Sequence, residues 1–320
     1  MPSLRKLSFN SAIPCILSEN SLLLPFDTVT TRFFAHMVLV LLRLIALLPL
    51  PALHGIGRVL GRCVYALPGR YRQRLQRNAR QAGYDDPAFA RRAAGETGAM
   101  IMETPKVWLQ TAKCVPKVVS DTEHVATDAM AEGRGILYLT PHLGCFEITA
   151  RYIVKYGPIT VMYRPPRHAA LEPVMEAARS MSGLNAVPAT RQGVREFVRA
   201  LKRGEAVGML PDQVPGSGDG VWAPFFGRPA LTMTLAGKLA RQTGVAVVVA
   251  AAERLAHGKG WRLHYLRLPE PLPDDPQALA GLINQSMETL IRRFPEQYLW
   301  SYNRYKVPAD APPLPESVSA

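Results

Sequence analysis

The alternation of short apolar runs with amphipathic stretches between Val115 and Leu268 constrains the fold most. The runs are VPKVV (115–119), GILYLT (135–140), ITVMY (159–163), LNAVP (184–188), AVGML (206–210), VAVVVAAA (245–252) and WRLHYLRL (261–268). The stretches between them have helical spacing and cover 145–156, 169–182, 191–203 and 232–242. Continuous Val/Ile/Leu strands are typical of sheets buried on both faces. The sequence therefore predicts an α/β fold, a mostly parallel sheet flanked by helices.

The remainder of the chain divides around this domain. Residues 1–36 form a poorly patterned extension, and 37–114 are predicted to be helical and membrane-associated. The α/β domain is predicted to cover 115–306 and to include a last helix near 276–294. The tail, 307–320, is rich in Pro and Ala and is predicted to be disordered.

The net charge of +13 predicts a polyanionic partner, either nucleic acid or an anionic lipid surface. Between Met37 and Tyr84 there are eight arginines and no Asp or Glu, and apolar sequence separates them. This mixture is typical of helices that bind at a membrane surface, so we expect no nucleic-acid partner. The apolar run 38–53 is shorter than the roughly 20 residues of a spanning helix, which favours a helix lying in or dipping into the surface over a true span.

The loop after the run 135–140 holds a candidate catalytic pair, His142 and Glu147. On a continuous helix, five positions would place them about 140° apart. At a strand-to-helix turn with Gly144 at the bend, Glu147 can fold back toward His142. A carboxylate bonded to one imidazole nitrogen leaves the other free to take a proton from a hydroxyl, as acyl transfer requires. The alternative is that His142 caps a helix and Glu147 is a solvated acid.

Two further strand exits carry candidate substrate contacts. Arg164 and Arg167 follow the run 159–163 and would suit bidentate capture of phosphate or carboxylate, unless each pairs with a neighbouring acid. Asp212 and Gln213 follow the run 206–210 and would suit a polar headgroup. The aromatic cluster WAPFF (222–226) could then contact the apolar chains of a lipid, or it could simply pack into the core.

Other chemistries lack their sequence patterns. No HExxH or similar ligand spacing occurs, so no metal is expected, and the glycines after Asp212 lack the GK[ST] ending of a nucleotide loop. No GxSxG nucleophile motif occurs. The prediction is an enzyme that needs no cofactor.

Several motifs, in order, resemble those of a known family. HLGCFE (142–147) is similar to the H-x4-E form of the motif of glycerolipid-type (lysophospholipid acyltransferase-like) acyltransferases. More narrowly, the chain resembles the lipid A late acyltransferases, the lauroyl/myristoyl transferases of Gram-negative bacteria. The matching segments are HLGCFE, MYRP (162–165), LPDQ (210–213), FFGRPALT (225–232) and PEQYLWSYNRYK (295–306). The family usually has Asn-Trp where this chain has Cys145 and Phe146.

The resemblance implies transfer of a fatty acyl group from acyl carrier protein to a hydroxyl of a lipid A precursor. The reaction would take place at the cytoplasmic face of the bacterial inner membrane. His142 would be the general base and Glu147 its orienting partner, while Arg164 would contact phosphate or oxyanion and Asp212 would be a polar site residue. The alternatives are an acyltransferase for a lysophospholipid or another glycolipid and, in a different class, a non-catalytic lipid- or nucleic-acid-binding protein.

Overall fold

A computed structural model describes residues 28–163, 179, 181–216 and 220–314 of the chain. The helix predicted over 169–182 and the last residues of the tail fall largely outside this range. Within it, the predicted fold class is confirmed: a mostly parallel sheet lies between layers of helices. The hydrogen bond from Trp222 Nε1 to Pro312 O, 2.7 Å long, joins the described part of the tail to the domain.

The N-terminal third is helical, as predicted. Its helices are α1 (Thr28–Leu47), α2 (Leu50–Ala66), α3 (Arg70–Gln81), α4 (Pro87–Leu109) and α5 (Thr111–Cys114). Helix α4 begins where the Asp86 carboxylate accepts hydrogen bonds from the backbone N–H of Ala88 and Phe89, and Pro87 occupies the first helical position. Helix α1 begins nine residues before Met37, the residue at which the helical region was predicted to start.

Glycines allow α2 and α4 to pack against each other closely. A Cβ atom on Gly57 or Gly61 would overlap backbone atoms of Gly98 or Ala94 across the interface. Close backbone approach of this kind is what glycine permits in a helix despite its conformational cost. The Gly-x-Gly sequence at 55–57 therefore serves helix packing at Gly57, while Gly55 faces open space.

The break between α1 and α2 is held by a buried lysine. Lys106 of α4 donates hydrogen bonds to Ala46 O (2.7 Å) and Leu48 O (2.8 Å), which lie at the C-terminal end of α1. Pro49 then adopts an extended conformation and α2 begins. Within the described residues, no helix by itself has the length and apolar composition of a membrane span, whereas Ala35–Leu47 and Leu50–Ala66, bent by 117°, meet that test as a pair.

The described strands form a seven-stranded sheet and a separate hairpin. They are β1 (Val118–Val119), β2 (Ile136–Leu139), β3 (Ile159–Tyr163), β4 (Leu184–Pro188), β5 (Ala206–Met209), β6 (Gly220–Phe225), β7 (Arg228–Met233), β8 (Ala246–Arg254) and β9 (Trp261–Arg267). The sheet order is β1-β9-β8-β2-β5-β3-β4, and only the β8–β9 pair is antiparallel within it. Strand β5 therefore lies beside β2, and their carboxyl ends meet at one edge.

Both faces of the sheet are covered. The helices of this domain are α6 (Glu123–Ala131), α7 (Phe146–Ile153), α8 (Arg191–Lys202), α9 (Leu235–Thr243) and α10 (Pro276–Ile291). Successive residues of β2 point to opposite cores, as strand geometry requires. Leu137 packs in the core that holds Phe197 of α8, whereas Tyr138 packs in the core that holds Ile148 of α7.

The hairpin β6–β7 is absent from the sequence prediction, which left the aromatic cluster WAPFF as either exposed or core. It is core: Trp222, Phe225 and Phe226 are all buried. Phe226 and Gly227 both have positive φ, +48° and +73°, which is the geometry of a two-residue hairpin loop. The hairpin packs against α10, where Asn284 Nδ2 donates to Pro224 O at 2.8 Å.

Candidate active site

The candidate site begins where β2 ends. The chain continues the sheet as far as Thr140, whose N–H donates to Met209 O of β5 (3.0 Å), and then turns at Gly144, which has φ +60°. A Cβ atom at Gly144 would collide with the carbonyl oxygen of Ala252, so glycine is required at this turn. His142 is thus presented at the carboxyl edge of the sheet, where ligands bind in folds of this kind.

His142 is held by Asp212 through two hydrogen bonds. The Nδ1 atom of the ring lies 2.7 Å from Asp212 Oδ1, and the backbone N–H of His142 donates to Oδ2 at 2.8 Å. Asp212 follows β5, the parallel neighbour of β2, and its side chain is almost completely buried. One carboxylate therefore sets both the position of the residue and the orientation of its ring.

The second ring nitrogen faces the amide of Gln213. The distance from Gln213 Nε2 to His142 Nε2 is 3.1 Å. With the amide nitrogen as donor, His142 Nε2 is the acceptor and Nδ1 carries the proton that is donated to Asp212. That tautomer is the one in which Nε2 can take a proton from a hydroxyl. Phe146 flanks the ring, with 5.0 Å between the ring centroids.

The electrostatics favour a charged Asp212. Burial would raise the pKa of this carboxyl, but the attraction of His142, its two hydrogen bonds and the nearby Arg304 guanidinium together hold the pKa below its usual value. Arg304 is itself buried and donates to Leu231 O (2.7 Å) and Thr232 Oγ1 (2.8 Å). A charged carboxylate beside the ring stabilises the imidazolium that forms when His142 takes a proton.

The expected hydrogen bond between His142 and Glu147 is wrong as a description of this structure. Glu147 lies in the first turn of α7, where its carboxylate accepts from Trp108 Nε1 (2.8 Å) and from Arg151 Nη1 (2.9 Å). His142 and Glu147 share no hydrogen bond within the described part of the chain. The physical reason is the helix: Arg151, one turn further on, meets Glu147 on the same face, and His142 is turned toward β5.

Glu147 instead lines a cleft of about 130 Å³ beside the histidine. Its wall includes Phe146, which also contacts the His142 ring, and Leu210, which precedes the Asp212 turn. The other lining residues are Trp108, Ala150, Arg151, Val161, Met162, Tyr163, Arg179 and Leu184. Apolar side chains beside a few polar groups are typical of a ligand pocket.

Of the six predicted site residues, the structure brings His142, Asp212 and Gln213 together and places Glu147 on the adjoining cleft. Arg164 and Arg167 lie outside the described residues, although Tyr163, which precedes them, lines the cleft. The sequence did not predict two other residues of the cleft, Trp108 and Arg179. The guanidinium carbon of Arg179 lies 3.2 Å from the centroid of the Tyr163 ring. Neither Trp108 nor Arg179 belongs to a motif, and only the packing of α4 against the domain reveals Trp108.

A metal centre was not expected, and the described residues contain no group of three or more His, Cys, Asp or Glu side chains able to hold an ion. The cysteine next to Phe146 does not provide a nucleophile either. Cys145 is buried, and its burial raises the pKa of the thiol well above the usual value. A thiol in that state is a poor nucleophile.

Comparison with known proteins places this chain in a family. Residues 26–307 match bacterial lipid A biosynthesis acyltransferases. The chain belongs to this family. It is similar to the lipid A biosynthesis lauroyltransferase of Escherichia coli (strain K12), with 29% identity over 280 residues that cover 84% of this chain and 90% of the relative.

Other relatives share less of their length. The E. coli (strain K12) lipid A biosynthesis palmitoleoyltransferase is 33% identical over 179 residues, which cover 56% of this chain and 58% of the relative. The E. coli (strain K12) myristoyltransferase is 22% identical over 256 residues, which cover 74% and 78%. The resemblance carried by the ordered motifs is therefore confirmed, and the chain is an acyltransferase of lipid A biosynthesis.

Proposed function

We propose that this family member transfers a fatty acyl group from acyl carrier protein to a hydroxyl of a lipid A precursor, with His142 as general base and Asp212 as the residue that orients it. The observation that carries the proposal is the Asp212–His142 pair at the carboxyl edge of the sheet, in which the second ring nitrogen, Nε2, faces the Gln213 amide. The assignment of His142 comes from the sequence, and the partner comes from the structure in place of Glu147.

In the proposed reaction, the acceptor hydroxyl takes the place of the Gln213 amide next to His142 Nε2. As the hydroxyl oxygen attacks the thioester carbonyl, its proton passes to Nε2, and Asp212 stabilises the imidazolium. The C–S bond then breaks, the proton returns to the departing thiolate, and an ester and a free thiol result. Arg164 and Arg167 stay proposed contacts for phosphate or oxyanion.

Glu147 receives a different proposed role. Because its carboxylate is held by Trp108 and Arg151 on the wall of the cleft, it would hold that wall in place beside the reacting groups. The apolar lining of the cleft suits the first part of an acyl chain, since each buried CH₂ contributes about 0.8 kcal/mol.

The proposed location is the cytoplasmic face of the bacterial inner membrane, and an exposed apolar surface supports it. Both α1 and α2 expose large apolar side chains, namely Phe33, Met37, Val40, Leu41, Leu44 and Leu47 on α1 and Ile56, Val59, Leu60 and Val64 on α2. Arg43 is exposed on the same helix and could meet anionic headgroups, whereas Arg58 is already paired with Glu96 at 2.6 Å.

The test is product analysis by mass spectrometry with purified protein, acyl carrier protein loaded with a fatty acid, and separate acceptors. We expect one added acyl ester on a lipid A precursor and a loss of about 10²–10⁴-fold in kcat for His142→Ala. His124→Ala, which changes an exposed histidine of α6, is the matched control. Acylation of lysophospholipid alone would refute the acceptor, and full activity of His142→Ala would refute the base.

A further inference from the structure

A second, strongly basic pocket lies outside the cleft. It has a volume of about 160 Å³ and is formed by α3, the start of β7 and the segment 303–305. Arg70, Arg74 and Arg77 recur at intervals of four and three residues, so they share one face of α3. Arg228 completes the set from β7, and the four guanidiniums define what we call the arginine pocket.

The charge of this pocket is uncompensated by the described part of the chain. None of its four arginines forms an ion pair with a described carboxylate, whereas Arg80, on the same helix, is paired with Asp85 at 2.6 Å. Like charges that face one concavity repel each other and concentrate a positive potential there. Such a site gains most from an anion that can accept several hydrogen bonds at once.

Hydrogen bonds and a ring contact hold the walls of the arginine pocket in place. Asn78, buried on α3, donates hydrogen bonds to Trp300 O and Tyr302 O, both at 2.7 Å. The Tyr305 ring lies 4.6 Å from the guanidinium carbon of Arg228 and holds that side chain over the pocket. The backbone of α3 is thereby fixed to the segment that forms the opposite wall.

The same segment also forms part of the active site. The backbone N–H of Leu299 donates to His142 O at 3.0 Å. Tyr302 Oη accepts from the N–H of Val214 at 2.9 Å, and Val214 follows Gln213, which contacts the histidine ring. Residues 299–302 therefore connect the arginine pocket to the loops that carry His142 and Gln213. A ligand bound in the pocket would be held at a fixed position relative to these two side chains.

We propose that the arginine pocket binds a phosphate group carried by the acceptor glycolipid. Guanidinium groups match phosphate oxygens in planar, bidentate hydrogen bonds, and four of them around one concavity suit a doubly charged phosphomonoester. The proposal rests on the proposed function and adds to it a site that holds the acceptor outside the cleft. Three of its arginines come from α3, outside the motifs, whereas Arg228 belongs to the segment FFGRPALT.

The first experiment compares two acceptors, a phosphorylated lipid A precursor and the same lipid after phosphatase treatment. The pocket variant is Arg70→Gln/Arg74→Gln/Arg77→Gln, because glutamine keeps helix propensity and removes the charge. The control variant is Arg191→Gln/Arg195→Gln/Arg199→Gln, which removes the same charge from exposed positions of α8. For the phosphorylated acceptor we expect the pocket variant to raise KM about 10- to 100-fold with kcat nearly unchanged.

The decisive result is the convergence of the two acceptors. In the unmodified protein and the control variant, removal of the phosphate should raise KM; in the pocket variant it should make little difference. If the pocket variant raises KM by the same factor for both acceptors, the proposal is overturned. It is also overturned if the variant raises the KM for the acyl carrier protein, or if its only effect is to release the protein from anionic vesicles. Those last two results would assign the arginines to an acidic protein or to the bilayer.

A second experiment does not depend on acyl transfer. Glucose 1-phosphate should raise the melting temperature of the unmodified protein and of the control variant, since a ligand of the native state stabilises it. It should leave that of the pocket variant unchanged, and glucose should have no effect on any of them. An equal rise in the pocket variant overturns the site, whereas a phosphate-dependent rise without any transfer activity would refute only the proposed function.

Discussion

Two histidine–carboxylate pairs, one in the helical region and one in the α/β domain, have similar lengths and different surroundings. The distance is 2.9 Å from His54 Nε2 to Glu103 Oε2 and 2.7 Å from His142 Nδ1 to Asp212 Oδ1. The side chains of the first pair are 1% and 0% exposed, whereas those of the second are 16% and 2% exposed. Both carboxylates are buried, so the difference lies in the histidines.

The two carboxylates also differ in what else they bind. Glu103 accepts hydrogen bonds from Arg254 (3.0 Å to Nε) and from Trp261 Nε1 (3.0 Å) in addition to the histidine, so it neutralises a buried cation. Asp212 serves His142 through both of its oxygens. The free nitrogen of His54 is buried without a partner in the described residues, whereas that of His142 meets Gln213 near the cleft. A histidine–carboxylate pair becomes a candidate base only where its second nitrogen can be reached.

The largest expected effect comes from Asp212→Asn. An asparagine keeps the shape but favours the wrong tautomer of His142 and cannot stabilise an imidazolium, so we expect kcat to fall by about 10²–10⁴-fold. Steady-state kinetics on protein with an unchanged circular dichroism spectrum would measure this fall. Glu147→Gln is the comparison, and we expect its smaller effect mainly in KM. A larger loss of kcat in Glu147→Gln than in Asp212→Asn would reverse the roles of the two carboxylates.

The buried pair should respond in stability instead of rate. Glu103→Gln leaves the guanidinium of Arg254 with an incomplete countercharge in the interior, which costs about 3–5 kcal/mol of unfolding free energy. Chemical denaturation would measure the loss, and kcat per folded molecule should stay close to that of the unmodified protein. If kcat fell as far as in Asp212→Asn while stability was unchanged, the contrast between the two pairs would fail.

Acidification should show how much the charged carboxylate of the buried pair contributes to stability. Burial would raise the pKa of Glu103, but Arg254 and His54 overcome it and lower the pKa to about 2 from the ordinary 4.5. A depressed pKa contributes stability that is complete above pH 4.5 and is lost as the pH falls toward 2. We expect about 3 kcal/mol of unfolding free energy to be lost over this interval, as measured by denaturation at a series of pH values. Glu103→Gln should remove this slope; an identical slope in the variant would contradict the assignment.

The contrast also shows what could be read from the sequence. The strands of the main sheet were predictable because continuous apolar runs such as 245–252 can only be buried on both faces. The hairpin β6–β7 was missed because Trp222, Phe225 and Phe226 give neither alternation nor a turn dipeptide. Their burial depends on α10, which lies about 60 residues away in sequence, as the Asn284–Pro224 bond illustrates.

The site divides in the same way. The position of a histidine at a strand exit could be predicted from local sequence alone, and so could that of an acid at the exit of another strand. Which acid serves His142 could not, because Asp212 lies 70 positions away and only the order of strands brings β5 beside β2. Glu147, five positions away, was favoured by proximity in sequence, yet its place on α7 directs it to Arg151 and Trp108.

The smallest expected effect compares two tryptophans that each donate an indole N–H to a glutamate. Trp261 donates to Glu103 at 3.0 Å in the interior, and Trp108 donates to Glu147 at 2.8 Å beside the cleft. Trp261→Phe removes a donor from a fully buried carboxylate and should lower the unfolding free energy by about 1–3 kcal/mol. Trp108→Phe should cost about 1 kcal/mol or less, because the Glu147 side chain is 28% exposed and water can replace the lost donor.

The two variants should affect different measurements, KM in one case and the denaturation midpoint in the other. Trp108→Phe widens the cleft wall, so its effect should be on the KM for acyl donor, with the denaturation midpoint little changed. Trp261→Phe should lower that midpoint and leave KM as it was. If Trp261→Phe changed KM while Trp108→Phe changed only stability, then the cleft would not be where the substrate binds. The buried network around Glu103 would then have to be treated as part of the reacting site.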